Sequence, residues 1–161
     1  MSINIEVKLE NGLLPDKYGK YSGVKIGGEP CLSFPITIED IPAGAKTLAL
    51  TFIDYDSAPL CGFAWKHWLA ANIPADISEI PENASQNGAF GMVQGKTDFR
   101  GALQYRYGGP MPPDKTHNYT LTLFALDCES PLTEGFTLDE LEATMSGHIL
   151  GTAEAVLPSR S

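Results

Sequence analysis

Positive charge is scarce in this chain. Eleven Lys and Arg stand against 20 Asp and Glu over 161 residues, for a net charge of −9 with the histidines neutral. A field of that sign repels phosphate backbones and anionic lipid surfaces, so neither nucleic acid nor stable membrane association is expected. Cysteine is scarce too: Cys31, Cys61 and Cys128 are odd in number and far apart, with no CxxC pair. That excludes a disulfide framework, a redox centre or a zinc knuckle and fits a reducing cytoplasm. Each thiol reads as a small buried apolar residue, and Cys61, in a glycine-containing loop, is the one expected at the surface. No run approaches the ~20 apolar residues of a membrane-crossing helix. Met1–Glu6 holds neither a basic nor an apolar leader segment, so export is not expected. HxH, HExxH and GxSxG are missing, as are internal repeats and low-complexity tracts.

What is present describes a folded, turn-rich chain. Hydrophobic residues make up 43%, with Gly 16 and Pro 12, and the length buries a core without disulfides or structural metal. Residues 1–161 read as one domain, without a linker. Strand-like alternation runs through Ile3–Leu9, Leu32–Ile38, Thr47–Asp54, His67–Ile73, Tyr119–Leu126 and Ala153–Leu157. Turn clusters such as Gly27-Gly28-Glu29-Pro30 and Pro42-Ala43-Gly44 separate them. The expected fold is mainly β, with antiparallel sheets packed face to face. One helix is predicted near the end, where Thr137-Leu138-Asp139-Glu140 has the form of a capping box and Leu138, Leu141, Met145 and Ile149 recur at helical spacing. Gly147 and Gly151 are natural stops for it. From Asp76 to Thr116 periodicity is weak, apart from a short helical turn expected around Asp76–Ile80. So long a connection in a compact domain suggests a site.

Strand parity points to where that site lies. Side chains two apart share a face, so Leu48, Leu50, Phe52 and Asp54 form a row that ends in a carboxylate. Asp56 joins it if the strand stays extended, although a lone Asp-x-Asp is most often a solvated turn. His67, Leu69, Ala71 and Ile73 form a second row and His117, Tyr119, Leu121 and Leu123 a third, each led by a histidine. If the first two strands are antiparallel neighbours, Asp54 and His67 meet at one rim around the loop Tyr55–Lys66. Before His117 runs Tyr107-Gly108-Gly109-Pro110-Met111-Pro112-Pro113-Asp114-Lys115-Thr116, a stiff segment poor in side chains that can bring backbone amides close to a ligand. Asp, His and His at three strand ends around such a loop make a pocket.

Together, Asp54-Tyr55-Asp56-Ser57-Ala58-Pro59, His67-Trp68 leading into Asn72-Ile73-Pro74, Tyr107-Gly108-Gly109-Pro110-Met111-Pro112-Pro113 and Thr116-His117-Asn118-Tyr119 resemble the phosphatidylethanolamine-binding protein family. The likeness is to its short bacterial and archaeal branch, often described as Raf kinase inhibitor-like. It runs in order from about Cys31 to the last strand. It implies a Greek-key antiparallel β-sandwich with a peripheral C-terminal helix and a pocket at one end of the sheet for a small anion or phosphoryl group. Carried over by position, the ligand-binding residues are Asp54, Asp56, His67, Gly108, Gly109, Pro110, His117 and Tyr119. Tyr55 interrupts the family's Asp-Pro-Asp-Ala-Pro, Lys115 stands where it has Gly, and Asn118 replaces its Arg. The resemblance also implies a homodimer, with Phe63, Trp65 and Trp68 as candidate interface or core residues.

Three functions compete at this point. The first is a non-enzymatic, cofactor-free protein that binds a small anion or phosphoryl ligand and has a regulatory role. The second is a metal-assisted or acid/base hydrolase built on Asp54, His67 and His117, for which no nucleophile or metal-ligand spacing is visible. The third is a module that modulates a kinase or protease through an unidentified protein partner.

Overall fold

The structure is a computed structural model that describes residues 2–161. Its strands are β1 (Asn4–Glu6), β2 (Lys25–Ile26), β3 (Glu29–Pro30), β4 (Ile36–Glu39), β5 (Thr47–Asp54), β6 (Trp65–Pro74), β7 (Glu79–Ile80), β8 (Val93–Gln94), β9 (His117–Leu126) and β10 (Ile149–Ser159). Helices α1 (Ala58–Cys61), α2 (Ala84–Asn87) and α3 (Leu138–Met145) accompany short 3₁₀ turns. The predicted mainly β class with a C-terminal helix is what the chain adopts. Strands β1 and β4 are shorter than their alternation suggests, and β6, β9 and β10 are longer.

A five-stranded sheet in the order β10-β9-β5-β6-β8 carries the fold, and a three-stranded sheet in the order β1-β4-β7 lies against it. Every pairing is antiparallel. Between the sheets, Leu48, Leu50 and Phe52 of β5 and Leu121 and Leu123 of β9 meet Ile36 and Ile38 of β4 and Ile80 of β7. Burial of each large side chain stabilises the fold by roughly 1.5–3 kcal/mol. On the other face Ala49, Leu69, Ala71 and Leu126 pack under Phe136, Leu141 and Met145. Central β5 is therefore buried along its whole length.

Local chemistry explains the connections. The β2–β3 hairpin turns on Gly27 (φ +60°) and Gly28 (φ +82°), the left-handed pair that a two-residue turn requires. Thr137 Oγ1 accepts from the Glu140 amide, and Glu140 Oε1 accepts from the Thr137 amide, each at 3.1 Å, completing the predicted capping box of α3. That helix ends at Ser146, and Gly147 turns left-handed (φ +82°). Ile149, expected on the helical stripe, instead begins β10 and is half exposed. The helical turn expected over Asp76–Ile80 is absent: β7 pairs with β4 there, and the Ser78 carbonyl accepts from the Ile38 amide.

Two bulges make β6 depart from simple alternation. Phe52 faces Trp68 while Ile53 faces Lys66, so His67 is an extra residue; Leu48 faces Ile73 while Leu50 faces Ala70, so Asn72 is another. A bulge puts neighbouring side chains on one side and resets the parity beyond it. Trp68, Ala70 and Ile73 consequently fill the inter-sheet core, whereas Leu69 and Ala71 lie under α3. The predicted row His67-Leu69-Ala71-Ile73 is thus broken at both bulges. Trp68 is core, not interface. At the second bulge Asn72 is left-handed (φ +57°), its side-chain Nδ2 donating to the Ser130 carbonyl at 2.9 Å and its side-chain Oδ1 accepting from the Ser130 amide at 2.8 Å. Asn72→Ala should lower the unfolding free energy by about 3 kcal/mol, through a strained left-handed backbone and two lost hydrogen bonds. Asn72→Gly should recover roughly 1 kcal/mol of that by relieving the backbone. Urea unfolding checks both, and equal losses would show that the backbone carries no strain.

Candidate functional site

The ends of β5, β6 and β9 surround a cavity of about 250 Å³. Asp54, His67, His117 and Tyr119 supply its polar floor, and Leu60, Trp65, Phe99, Met111, Pro112 and Pro113 its largely apolar wall. Among the described residues no lysine or arginine lines it.

Asp54 is buried at the end of β5. Its Oδ1 accepts from the Asp56 amide at 2.9 Å and starts the 3₁₀ turn Tyr55–Ser57. Its Oδ2 accepts from His117 Nδ1 at 2.7 Å. The Ser57 hydroxyl donates to the carbonyls of Asp54 (2.8 Å) and Phe63 (3.1 Å) and accepts from the Trp65 amide (2.9 Å), closing the β5–β6 loop.

His117 is held between two carboxylates: Nδ1 faces Asp54, and Nε2 lies 2.7 Å from Asp114 Oδ1. Ionised carboxylates only accept, so both ring nitrogens carry hydrogen and the ring is an imidazolium. Burial opposes this charge, but the hydrogen bonds to Asp54 and Asp114 outweigh it and raise the pKa above 6.5. At Asp114 desolvation likewise works against the charge, and hydrogen bonds from His117 and backbone amides bring its pKa below the ordinary value.

His67 has the opposite character. Its Nδ1–H donates to the Gly108 carbonyl at 2.7 Å, and the Gly108 amide donates to the His67 carbonyl at 3.0 Å. Burial pushes its pKa down to about 4, only partly offset by that hydrogen bond, so the ring is neutral at pH 7. A neutral ring with hydrogen on Nδ1 offers a lone pair at Nε2. That nitrogen has no protein partner among the described residues. The ring sits edge-on to Tyr119 and Phe99, at 5.1 and 5.2 Å between centroids. Burial, reinforced by the Asp54 charge, raises the Tyr119 pKa, and its hydroxyl stays protonated.

Of the residues singled out by sequence, Asp54, His67, Gly109, His117 and Tyr119 line the cavity; Asp56, Gly108 and Pro110 do not. The chain stops being extended after Asp54, and the Asp56 carboxylate turns aside to accept from the Asn118 amide at 2.9 Å. The Gly108 and Gly109 amides, expected to face a ligand, donate to the carbonyls of His67 and Pro30. Both glycines serve close packing: a Cβ would lie 2.1 Å from the Phe99 ring at Gly108 and 2.2 Å from the Tyr18 carbonyl at Gly109. Asp54 partners His117 and makes no hydrogen bond to His67. Lys115 and Arg106 do not line the cavity, and Arg106 pairs with Glu134. Asp114 was missed; its place three residues before His117, in a turn-forming segment, was the available signal. Trp65, named from the sequence as an interface or core candidate, forms cavity wall instead, and Phe99 was hidden in the aperiodic stretch. Cys61 is exposed, as expected, and lines the cavity; Cys31 is buried and Cys128 half buried.

A family model described as Phosphatidylethanolamine-binding protein matches residues 4–159. YxkA of Bacillus subtilis, an uncharacterized protein, is 49% identical, with 99% of each chain covered. Among solved structures, CT736 of Chlamydia trachomatis, titled a phosphatidylethanolamine-binding protein homolog, matches at TM-score 0.83 and 29% identity, covering 99% of this chain and 98% of that one. Escherichia coli YbcL, titled a member of the mammalian PEBP family, matches at TM-score 0.82 and 25% identity, covering 100% and 99%.

The two histidines oppose each other in their dependence on pH. The His67 pKa is lowered, so its contribution to stability is complete above about 6.5 and is lost as pH falls toward 4. The His117 pKa is raised, so its contribution is complete below 6.5 and is lost as pH rises through the folded value. Ring NMR should show His117 titrating above 6.5 while His67 stays neutral until close to pH 4. In urea unfolding from pH 7 to 4.5, His67→Gln should flatten the acid-side decline by up to about 1.4 kcal/mol per pH unit. Parallel curves would show that His67 is not held neutral.

Proposed function

Because this chain belongs to the phosphatidylethanolamine-binding protein family, we propose that it is a non-enzymatic binding protein whose cavity takes a small phosphoryl ligand as its protonated monoanion. The observation that carries the reading is the polarity of the floor: His67 Nε2 offers a lone pair, Tyr119 lines the same cavity, and among the described residues no lysine or arginine lines it. Two carboxylates and one imidazolium leave the site with one negative charge, which disfavours a dianion. A monoanion brings its own O–H to donate to His67 Nε2, while Tyr119 donates to an unprotonated oxygen. The cavity leaves room for an organic substituent against Leu60, Trp65, Phe99 and Met111.

His117 is charged, but Asp114 occupies its Nε2–H. The ligand oxygen competes with that carboxylate for the same donor. For the hydrolytic alternative, Ser57 is a serine at the cavity whose hydroxyl is already engaged by Asp54, Phe63 and Trp65. The binding reading therefore stands ahead.

The test is a ring-NMR titration of chelator-treated protein with inorganic phosphate and then phosphoethanolamine. His67 and His117 should shift saturably while His148 stays still. A phosphomonoester loses its second proton near pH 6, so affinity should rise by up to about tenfold per unit as pH falls from 8 toward 6. Asp114→Asn should raise affinity about fivefold at pH 6 by removing a competing charge, ~1 kcal/mol. Flat affinity across that range, or no response at His67 and His117, would overturn the reading.

A further inference from the structure

At the far end of β9, ten residues and so about 30 Å of strand from His117, a second group of chemistry-bearing side chains converges. Asp127, Cys128 and His148 present a carboxylate, a thiol and an imidazole whose ligand atoms all lie within 4.8 Å of one another. None belongs to the cavity. The spacing hides them, since His148 is brought back only by α3 and the left-handed turn at Gly147.

We propose that Asp127, Cys128 and His148 form a zinc site. The backbone around them is fixed before any metal arrives. The Asp127 amide donates to the His148 carbonyl at 3.0 Å, the His148 amide to the Met145 carbonyl at 2.9 Å, and the Thr47 hydroxyl to the Cys128 carbonyl at 2.7 Å. Three hydrogen bonds thus anchor the two segments that hold the donors, and only side-chain rotations are needed to bring them to the roughly 3.5 Å separations of a tetrahedral zinc shell. Asp127 and His148 are already 2.7 Å apart, and their side chains are 43% and 47% exposed, which leaves the metal an entry path.

Donor chemistry selects the ion. Calcium and magnesium take oxygen shells, whereas thiolate with imidazole and one carboxylate suits zinc, with water in the fourth position. Cys128 releases its proton to solvent as the sulfur coordinates. A bound zinc would join the end of β9 to the start of β10, across the junction that α3 leads into.

The experiment is calorimetric titration of the chelator-treated full chain with Zn²⁺, alongside Co²⁺ absorption as a report on thiolate coordination. Binding of one metal per chain is expected, with a thiolate-to-cobalt charge-transfer band and a shift of the His148 ring while His67 and His117 stay still. Cys128→Ser should abolish the band and weaken zinc binding by about a hundredfold, and His148→Asn should weaken it comparably. Metal-free circular dichroism checks that each variant folds, and the His148 shift in the unmodified chain decides the matter if one does not. No saturable zinc binding would overturn the site. So would affinity unchanged in both variants, or a response at His67 in place of His148.

Discussion

A carboxylate at the end of a strand buried on both faces is largely removed from solvent, and the geometry around Asp54 follows from that constraint. An unpaired buried charge costs several kcal/mol, so each oxygen must find a donor where β5 stops. One takes the Asp56 amide, which ends the strand and turns the chain into the loop toward α1. The other takes His117, at the start of the neighbouring strand. His117 is then a buried cation with a second N–H to satisfy, and Asp114 satisfies it, fixing the proline-rich approach to β9. Asp56 closes the circuit by accepting from Asn118 on the same strand. Two loops distant in sequence are thereby held by a single buried charge.

The two cavity histidines show how partner type and depth of burial together set charge. Both are almost inaccessible to solvent. His67 meets a carbonyl, a neutral acceptor too weak to offset desolvation, and stays uncharged. His117 meets two carboxylates and takes the charge. The floor accordingly combines an acceptor and an occupied donor, a division of labour that a list of residue types does not contain.

Where backbone geometry is regular, the sequence is readable. The rows Leu48-Leu50-Phe52-Asp54 and His117-Tyr119-Leu121-Leu123 emerge on the faces that alternation predicts, and the capping box of α3 is made by Thr137 and Glu140. Reading fails where one residue changes the register. The bulges at His67 and Asn72 move Trp68 and Leu69 to faces opposite from those expected, and no local composition announces them. Gly108 and Gly109 were legible as glycines that something approaches closely, but that something is Phe99 and Tyr18. Asp114, and the meeting of Asp127 and Cys128 with His148, depend on contacts that exist only once the chain has closed on itself.

His67 and Gly108 clasp each other reciprocally, ring N–H to one carbonyl and amide N–H to the other. Such a double latch opens as a unit, because releasing the ring from the Gly108 carbonyl also loosens the amide that pins the loop to β6. The tautomer that exposes the Nε2 lone pair therefore lasts only as long as the loop stays docked. Amide hydrogen exchange at Gly108 is in effect a clock for how often this part of the cavity floor ceases to exist.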